Sequence, residues 1–332
     1  MNVTIIGAGS WGCALANVLS NNHHSVILYD INQHTVDEIN TLHCNSLVPN
    51  ATLNEDIMAS TDLQLATSHS SIIVLSVPTK VIRGVLERIS EQINEPKLFV
   101  NTSKGLEPNT FKRVSEIVSD IIPSSFLKGF VALTGPSHAE EVIINLPTTI
   151  CSVSENSSDA SFIQHLFSNH QNFRVYTGND LIGSELCGSI KNVYAIASGL
   201  LEGMGYGDNA RAGLISRALV EMRRIVTLLG GKEETLYGLT GIGDLVVTTT
   251  SHHSRNFQAG VKLASGKSLD ETIASMPMTV EGARTALAVH ELAIKYNLDT
   301  PIINEVYNVI YHKKPVKDAV HDLFKRALKE EN

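Results

Sequence analysis

Residues 2–12 read NVTIIGAGSWG, a β-branched apolar run that passes directly into a glycine-rich turn. An apolar helical stretch follows, and then a second apolar run over Ser25–Asp30. A G-x-G-x-x-G pattern alone is weak support, but a strand before it and a helix after it are the context of a dinucleotide-binding turn. Gly7 would permit the tight turn, Gly9 would let the backbone approach a pyrophosphate, and Gly12 would let the helix pack on the strand. The N-terminus of the helix would then present free N–H groups to the phosphates, so the sequence predicts a dinucleotide-binding unit.

The cofactor preference depends on Asp30, which ends the second predicted strand. A carboxylate there can accept hydrogen bonds from a ribose 2′-OH and would repel a 2′-phosphate. The next residues, Ile31-Asn32-Gln33, provide no arginine or lysine to hold such a phosphate. We therefore expect NAD to be preferred over NADP; the alternative is that Asp30 only caps the loop.

The first half of the chain alternates short apolar runs with amphipathic stretches, which indicates a largely parallel sheet covered on both faces. The predicted strands are Asn2–Ile6, Ser25–Asp30, Ser71–Val77, Lys97–Ser103, Phe130–Thr134, Thr148–Val153 and Phe173–Tyr176. From Asp180 onward, apolar residues recur at helical spacing. The sequence therefore predicts an α/β Rossmann-type doubly wound sheet in residues 1–182, followed by an all-α C-terminal domain in residues 183–332. Pro78, Thr102–Gly105 and Gly135–Ser137 are expected to line the crevice beyond the carboxyl ends of the strands.

The composition argues against several classes of protein. The 332 residues carry a formal net charge of −8, which does not fit a nucleic-acid-binding surface. No apolar run is long enough to cross a bilayer, and the N-terminus lacks the basic leader of a signal peptide. Four cysteines lie far apart without a C-x-x-C pair, as expected for reduced thiols. We therefore expect a cytoplasmic protein in which an anionic ligand needs a locally basic pocket.

Eight ordered motifs give the chain a resemblance to a known family over nearly its whole length. They are GAGSWG at 7–12, TSKGLE at 102–107, LTGPSHA at 133–139, IKNVYAI at 190–196, GYGDNA at 205–210, GIGDL at 241–245, SRN at 254–256 and VEG at 280–282. In these motifs the chain resembles the bacterial NAD(P)-dependent glycerol-3-phosphate dehydrogenases. The resemblance implies a cytoplasmic homodimer that reversibly reduces dihydroxyacetone phosphate to sn-glycerol 3-phosphate for phospholipid synthesis.

The resemblance also implies roles for individual positions of this chain. Lys191 matches the catalytic lysine of the family, a general acid/base. The expected cofactor contacts combine the glycine turn and Asp30 with the positions that the resemblance implies. They are Gly7, Gly9, Ser10, Trp11, Gly12, Asp30, Lys104, Ala139, Arg255 and Glu281. The implied substrate contacts are Lys104, Gly135, Ser137, Lys191, Asn192, Asp244, Thr248, Ser254, Arg255 and Asn256. No metal is expected.

The chain departs from the family pattern in two places. Many bacterial members carry a basic residue after the second strand, where this chain has Asp30-Ile31. NADP use is therefore not carried over from the family. The segment Asn45–Pro49 lacks the aromatic residue that is usual before Leu-Pro, and no contact is carried over there.

The proposed chemistry explains these residue types. Hydride addition to a ketone develops negative charge on the oxygen, which must then receive a proton, and a positioned ammonium can serve both needs. Burial in the apolar stretch Leu186–Leu201 and a nearby Lys104 would lower the pKa of Lys191. Asp244 would raise that pKa, so the sign of the net shift stays open. A guanidinium at Arg255 can hold two phosphate oxygens at once.

A histidine pair and an arginine pair are predicted to have no role as metal or anion ligands. His252 and His253 are predicted to be loop residues and not metal ligands, because no carboxylate or cysteine lies at ligand spacing. Arg223-Arg224, beside Glu221, is predicted to be a solvated helix face or a dimer contact.

Two alternative functions remain open from the sequence. Other dehydrogenases also pair a Rossmann domain with a helical domain, such as the 6-phosphogluconate and 3-hydroxyacid dehydrogenases. A Lys-x-x-x-Asn pattern would favour these, whereas here Lys191 is followed at once by Asn192. The other alternative is a non-catalytic NAD-sensing module, in which Lys104, Lys191 and Arg255 would have no reason to converge.

Overall fold

The computed structural model describes residues 1–49, 51–276 and 280–331. The strands are β1 Asn2–Ile6, β2 Ser25–Tyr29, β3 Met58–Ser60, β4 Ile72–Leu75, β5 Lys97–Asn101, β6 Leu127–Thr134, β7 Thr148–Val153 and β8 Phe173–Gly178. The helices are α1 Ser10–Asn21, α2 Gln33–Asp37, α3 Leu63–His69, α4 Ile82–Ser90, α5 Val114–Ile121, α6 Ala139–Val142, α7 Ser157–Phe167, α8 Leu181–Gly203, α9 Asp208–Leu228, α10 Asp244–Thr250, α11 Arg255–Ala264, α12 Leu269–Ala274, α13 Glu281–Lys295, α14 Pro301–Tyr311 and α15 Val316–Phe324. Short 3-10 or π-helical turns lie at Glu38–Leu42, Thr79–Val81, Glu233–Tyr237 and Leu239–Gly243.

The strands form one sheet in the order β3-β2-β1-β4-β5-β6-β7-β8. Neighbouring strands are parallel except for β6 and β7, which run antiparallel. Successive side chains of a strand point to opposite faces. Accordingly, Ile5 packs into the apolar cluster that contains residues of α1, and Ile6 packs into the cluster that contains residues of α4 and α5. The predicted doubly wound sheet is confirmed.

The strand boundaries differ from the prediction in several places. β3 was not predicted, and it contributes only Met58–Ser60 at the edge of the sheet. β4 and β5 end at Leu75 and Asn101, two residues before the predicted ends at Val77 and Ser103, because the chain leaves the ladder there. The freed residues form the loops at the carboxyl edge of the sheet.

The helical half is organised around α8. Asp180 caps its start by accepting a hydrogen bond from the Gly183 N–H at 3.0 Å. Every residue from Gly183 to Leu200 is buried, as expected for a helix with neighbours on all sides. Helices α9, α10, α11, α13 and α14 pack against it. No helix in the described part of the chain is both long and apolar enough to cross a bilayer.

Helices α8 and α11 touch backbone to backbone through Gly199 and Gly260, which we term the glycine seam. A Cβ on Gly199 would lie 2.0 Å from the Phe257 carbonyl oxygen, and one on Gly260 would lie 2.2 Å from the Ile196 carbonyl oxygen. Any side chain at either position would therefore push the helices apart. The seam fixes the residues at the start of α11 relative to those in the middle of α8.

Candidate active site

The glycine turn between β1 and α1 has the shape needed to admit a pyrophosphate. Gly7 has a φ of +109°, and a Cβ there would lie 2.5 Å from the Ser76 carbonyl oxygen. A Cβ on Gly12 would lie 2.0 Å from the Gly7 carbonyl oxygen, so neither glycine leaves room for a side chain. A Cβ on Gly9 would meet nothing within 4 Å. The backbone at Gly9 is thus open to a ligand, while Gly7 and Gly12 let the turn and helix close behind it.

Asp30 supports this turn from the end of β2. Its Oδ2 accepts a hydrogen bond from the Ala8 N–H at 2.9 Å, and its Oδ1 accepts one from the Asn32 N–H at 3.0 Å. The capping role considered from the sequence is therefore present. A carboxylate oxygen has more than one acceptor site, so contact with a ribose hydroxyl stays a prediction.

A cavity of about 420 Å³ lies between the carboxyl edge of the sheet and the helical half. Most of the predicted site residues line it: Gly9, Ser10, Trp11, Lys104, Ser137, Ala139, Lys191, Asn192, Asp244, Thr248, Ser254, Arg255, Asn256 and Glu281. The crevice residues Pro78, Thr102 and Ser103 do so as well. Gly7, Gly12, Asp30 and Gly135 are not part of its lining. The cavity therefore brings together groups that are up to 272 positions apart in the chain, from Gly9 to Glu281.

Two lysines share one buried carboxylate at the centre of the cavity. Lys191 Nζ donates to Asp244 Oδ1 at 2.5 Å and to Thr248 Oγ1 at 2.7 Å. Lys104 Nζ donates to the other oxygen, Oδ2, at 2.9 Å and to the Gly135 carbonyl at 3.0 Å. Gly135 thus positions Lys104 through its backbone although it does not line the cavity.

Burial determines the pKa of Lys191. Loss of solvent lowers the pKa of this amine to about 7, against the attraction of Asp244, and the charge on Lys104 acts in the same direction as burial. Burial opposes ionisation of Asp244, but the two lysines outweigh it and hold the pKa of that carboxyl below its usual range. The sequence left open whether the pKa of Lys191 is raised or lowered, and in the structure it is lowered. At this pKa the amine can release and regain a proton near neutral pH.

The start of α11 presents an exposed cation to the same cavity. Ser254 caps the helix by accepting a hydrogen bond from the Phe257 N–H at 3.3 Å. Arg255 forms no ion pair or hydrogen bond with the residues that the structure describes. Asn256 Oδ1 accepts from the Gly282 N–H at 2.9 Å, which leaves its amide N–H groups available to donate. These groups and the N-terminus of the helix can together bind an anion.

Glu281 connects the two halves on the nucleotide side of the cavity. Its Oε1 accepts a hydrogen bond from the Thr79 N–H at 3.3 Å. Burial raises the pKa of this carboxyl, against that hydrogen bond and the nearby arginines and lysine. Glu281 therefore lies at the junction of α13 with the loop that follows β4.

Several lining residues were missed by the sequence reasoning: Leu47, Ser76, Val77, His138, Glu140, Val247 and His253. No contact was carried over to Asn45–Pro49 from the family, but Leu47 lines the cavity and Asn45 Nδ2 donates to the Ala8 carbonyl at 2.7 Å. His252 and His253 do lie in a turn between α10 and α11, as predicted, but His253 also faces the cavity. His138 belongs to the LTGPSHA motif, and its position just after the Gly135–Ser137 turn was the available signal.

The fold and site together define a nicotinamide-dependent oxidoreductase for an anionic substrate. The cavity is lined by an open glycine turn, a lysine with a near-neutral pKa and an arginine that has no ion-pair partner among the described residues. The protein-family model of the NAD-dependent glycerol-3-phosphate dehydrogenase N-terminus matches residues 2–160 of the chain. The family model of the corresponding C-terminus matches residues 180–321. The chain belongs to the NAD-dependent glycerol-3-phosphate dehydrogenase family.

Individual relatives agree with this assignment over full-length chains. The glycerol-3-phosphate dehydrogenase [NAD(P)+] of Macrococcus caseolyticus is 44% identical over 327 residues, which cover 98% of each chain. The enzyme of the same name from Staphylococcus aureus is 45% identical over 330 residues, which cover 99% of each. The crystal structure of the glycerol-3-phosphate dehydrogenase of Coxiella burnetii superposes with a TM-score of 0.92 at 35% identity, covering 98% of this chain and 99% of that one. The sequence left two alternatives open, another kind of dehydrogenase and a non-catalytic NAD-sensing module. These matches support neither alternative.

Proposed function

We propose that the protein catalyses reversible hydride transfer between NAD(P)H and dihydroxyacetone phosphate, giving sn-glycerol 3-phosphate. The observation that carries this proposal is the Lys104–Asp244–Lys191 cluster, which lies in one cavity with the open glycine turn and Arg255. Relatives that share 44–45% of this sequence bear the name of that activity. The nucleotide would be held by the glycine turn together with Trp11, Ala139 and Glu281.

Lys191 acts as the general acid/base in this proposal. When bound, the nicotinamide supplies the hydride. The Lys191 ammonium stabilises the negative charge that develops on the carbonyl oxygen, and its Nζ then donates the proton. Thr248 and Asp244 orient the amine through their hydrogen bonds at 2.7 and 2.5 Å. A pKa of about 7 allows the same group to accept the proton in the reverse reaction.

Arg255 and Asn256 bind the substrate phosphate in this proposal. A guanidinium provides two parallel donors to phosphate oxygens, and Arg255 has no competing partner among the described residues. Binding energy from the phosphate, which does not react, can hold the carbonyl against Lys191 and the nicotinamide. The phosphate therefore serves mainly to orient the reacting group.

We extend the proposal to the physiological setting in three respects. Asp30 and the absence of a basic residue in Ile31-Asn32-Gln33 favour NAD over NADP. The four unpaired thiols fit a reducing cytoplasm, and the product is a precursor of phospholipids. The active species is a homodimer, as in the family that the sequence resembles; light scattering in solution tests this point.

The direct test is oxidation of NADH, followed at 340 nm, with and without dihydroxyacetone phosphate. We expect turnover only with the substrate present, and a higher kcat/KM for NADH than for NADPH. Absence of turnover with a folded protein would reject the activity. Equal kcat/KM values for the two nucleotides would reject only the preference.

The phosphate contact has its own test in Arg255→Ala. Loss of a charge-assisted hydrogen-bonded pair raises KM for dihydroxyacetone phosphate by about 10- to 150-fold. The reaction of phosphate-free dihydroxyacetone should change far less. Arg174→Ala is a matched control, because Arg174 is exposed on β8 and does not line the cavity. An equal loss on both substrates would contradict the phosphate contact.

A further inference from the structure

Two histidine rings meet at the cavity from opposite halves of the molecule. His138 follows the Gly135–Ser137 turn at the end of β6, and His253 lies in the turn between α10 and α11. The ring centroids are 5.7 Å apart, and the ring planes are tilted by 54°. Both residues line the cavity. The pair therefore forms a direct contact between the sheet half and the helical half at the proposed site.

His138 makes a second contact with the helical half. Its Nε2 lies 3.4 Å from the carbonyl oxygen of Val247 in α10. A carbonyl oxygen can only accept, so we assign the ring proton to Nε2. Burial lowers the pKa of His138, and Lys191 and Lys104 act in the same direction against the hydrogen bond to Val247. The ring is therefore neutral near pH 7 and packs on His253 without charge repulsion.

His253 lies two residues before Arg255, the first residue that binds phosphate in the proposed function. Its backbone N–H donates to Ser251 Oγ at 3.1 Å, and the Ser254 N–H closes the turn at 251–254 by donating to the Ser251 carbonyl at 3.1 Å. Ser254 caps α11, and Arg255 and Asn256 are the first residues of that helix. A contact that holds the His253 ring therefore also holds the turn from which Arg255 extends.

We infer that His138 is a positioning residue for phosphate binding: by packing on His253 it holds the 251–256 segment against the sheet half. This inference rests on the proposed roles of Arg255 and Asn256. No hydrogen bond joins His138 to Lys191 in the described part of the chain, where Asp244 and Thr248 hold the Lys191 amine. Loss of the ring pair should therefore weaken substrate binding and leave the chemical step unchanged.

The experiment compares three variants. In His138→Ala we expect KM for dihydroxyacetone phosphate to rise about 5- to 10-fold, in the range of a lost aromatic contact, with kcat within about twofold. His138→Phe keeps a ring against His253 and should restore most of the KM. His252→Ala is the matched control, because His252 is adjacent in the same turn, packs edge-on against Phe257 at 5.3 Å and does not line the cavity. It should leave both constants unchanged.

The second readout is binding measured by calorimetry, with sn-glycerol 3-phosphate and with inorganic phosphate as probes. Both should bind His138→Ala more weakly than the unmodified protein by about the same factor as the change in KM. Equal losses in kcat and KM, an unchanged KM, or a His138→Phe variant no better than His138→Ala would overturn the positioning role.

The two proposals can fail separately. If the unmodified protein does not reduce dihydroxyacetone phosphate but His138→Ala still binds inorganic phosphate more weakly, the proposed function fails and the positioning role stands. If the unmodified protein binds neither probe, the positioning role is overturned as well.

Discussion

Lys191 and Glu221 are two buried ionisable groups of the helical half, 4% and 2% exposed, whose surroundings differ. Burial lowers the pKa of Lys191 to about 7 and raises the pKa of Glu221 to about 7. Lys191 lines the cavity and can exchange a proton with a ligand. Glu221 does not line it: its Oε1 accepts from the Ile302 N–H at 2.6 Å, at the closed start of α14, and its Oε2 accepts from the Tyr194 hydroxyl at 3.3 Å.

The comparison shows that a shifted pKa does not by itself identify a catalytic group. Desolvation shifts both pKa values, but only Lys191 lines a cavity that a ligand can enter among the described residues. We therefore expect changes at Lys191 to affect turnover and changes at Glu221 to affect stability. Four predictions test this division.

The largest effect is expected for Lys191→Ala, because a general acid/base contributes about 10²–10⁴-fold in rate. The kcat for NADH oxidation with dihydroxyacetone phosphate should fall by that factor in a variant shown by circular dichroism to be folded. Lys191→Arg keeps the positive charge but cannot release a proton at neutral pH, so it should not restore kcat. Retained turnover in folded Lys191→Ala would disprove the role.

Glu221→Gln should change the pH dependence of stability and leave kcat unaltered. The folded protein holds the proton of Glu221 up to pH about 7, whereas the unfolded chain releases it near 4.5. The contribution of this group is therefore fully present below pH 4.5 and is lost as pH rises to about 7, by up to about 3 kcal/mol. Glutamine can still accept from Ile302, so the variant should lack this loss.

Urea unfolding of both proteins at pH 5 and pH 8 measures the difference. The assignment is supported if Glu221→Gln is more stable relative to the unmodified protein at pH 8 than it is at pH 5. A difference that does not vary with pH contradicts it.

The pH profile of kcat/KM separates the two groups without changing Lys191. In the proposed mechanism the reductive direction needs a protonated Lys191, so kcat/KM should fall about tenfold for each pH unit above about 7. In the oxidative direction kcat/KM should rise up to about pH 7 and then level off. Glu221→Gln should show the same profiles of kcat/KM against pH. A shift of the inflection in that variant would contradict the distinction between Lys191 and Glu221.

The smallest effect is expected for Tyr194→Phe. Tyr194 is three residues after Lys191 on α8, but its hydroxyl donates to Glu221 Oε2 at 3.3 Å. Loss of this hydrogen bond should lower the free energy of unfolding by about 1 kcal/mol, measured by urea denaturation. The kcat should not change; a tenfold loss of turnover would show that the two clusters are coupled.

The structure of the sheet half was largely predictable because it depends on short stretches of adjacent residues. The glycine turn, the apolar run that forms β2 and the break after β4 each follow from a few adjacent residues. β3 was missed because Met58-Ala59-Ser60 has no β-branched residue and pairs only along one edge, with β2. The antiparallel orientation of β7 depends on where the chain turns after α6, which the local pattern does not encode.

Most of the predicted site residues line the cavity, but the electrostatics of the cavity could not be predicted from the sequence. The family motifs identified Lys104, Lys191 and Asp244, yet the sign of the Lys191 shift depends on burial by helices that lie far along the chain. The same limit explains why the sequence, which predicts a solvated face or a dimer contact at Arg223-Arg224, did not indicate that Glu221 on the same helix is buried. Its partner Ile302 lies 81 residues away, and no spacing in α9 reveals that α14 covers it.

The glycine seam between α8 and α11 has a consequence for substrate size. In the proposed function the substrate spans Lys191 on α8 and Arg255 on α11, so the close approach of these helices at Gly199 and Gly260 would limit the length of the substrate. A side chain at Gly199 or Gly260 would separate the helices without changing any residue that lines the cavity. On the proposed roles of Lys191 and Arg255, a substitution at either glycine would change the substrate length that the protein accepts, although neither glycine lines the cavity.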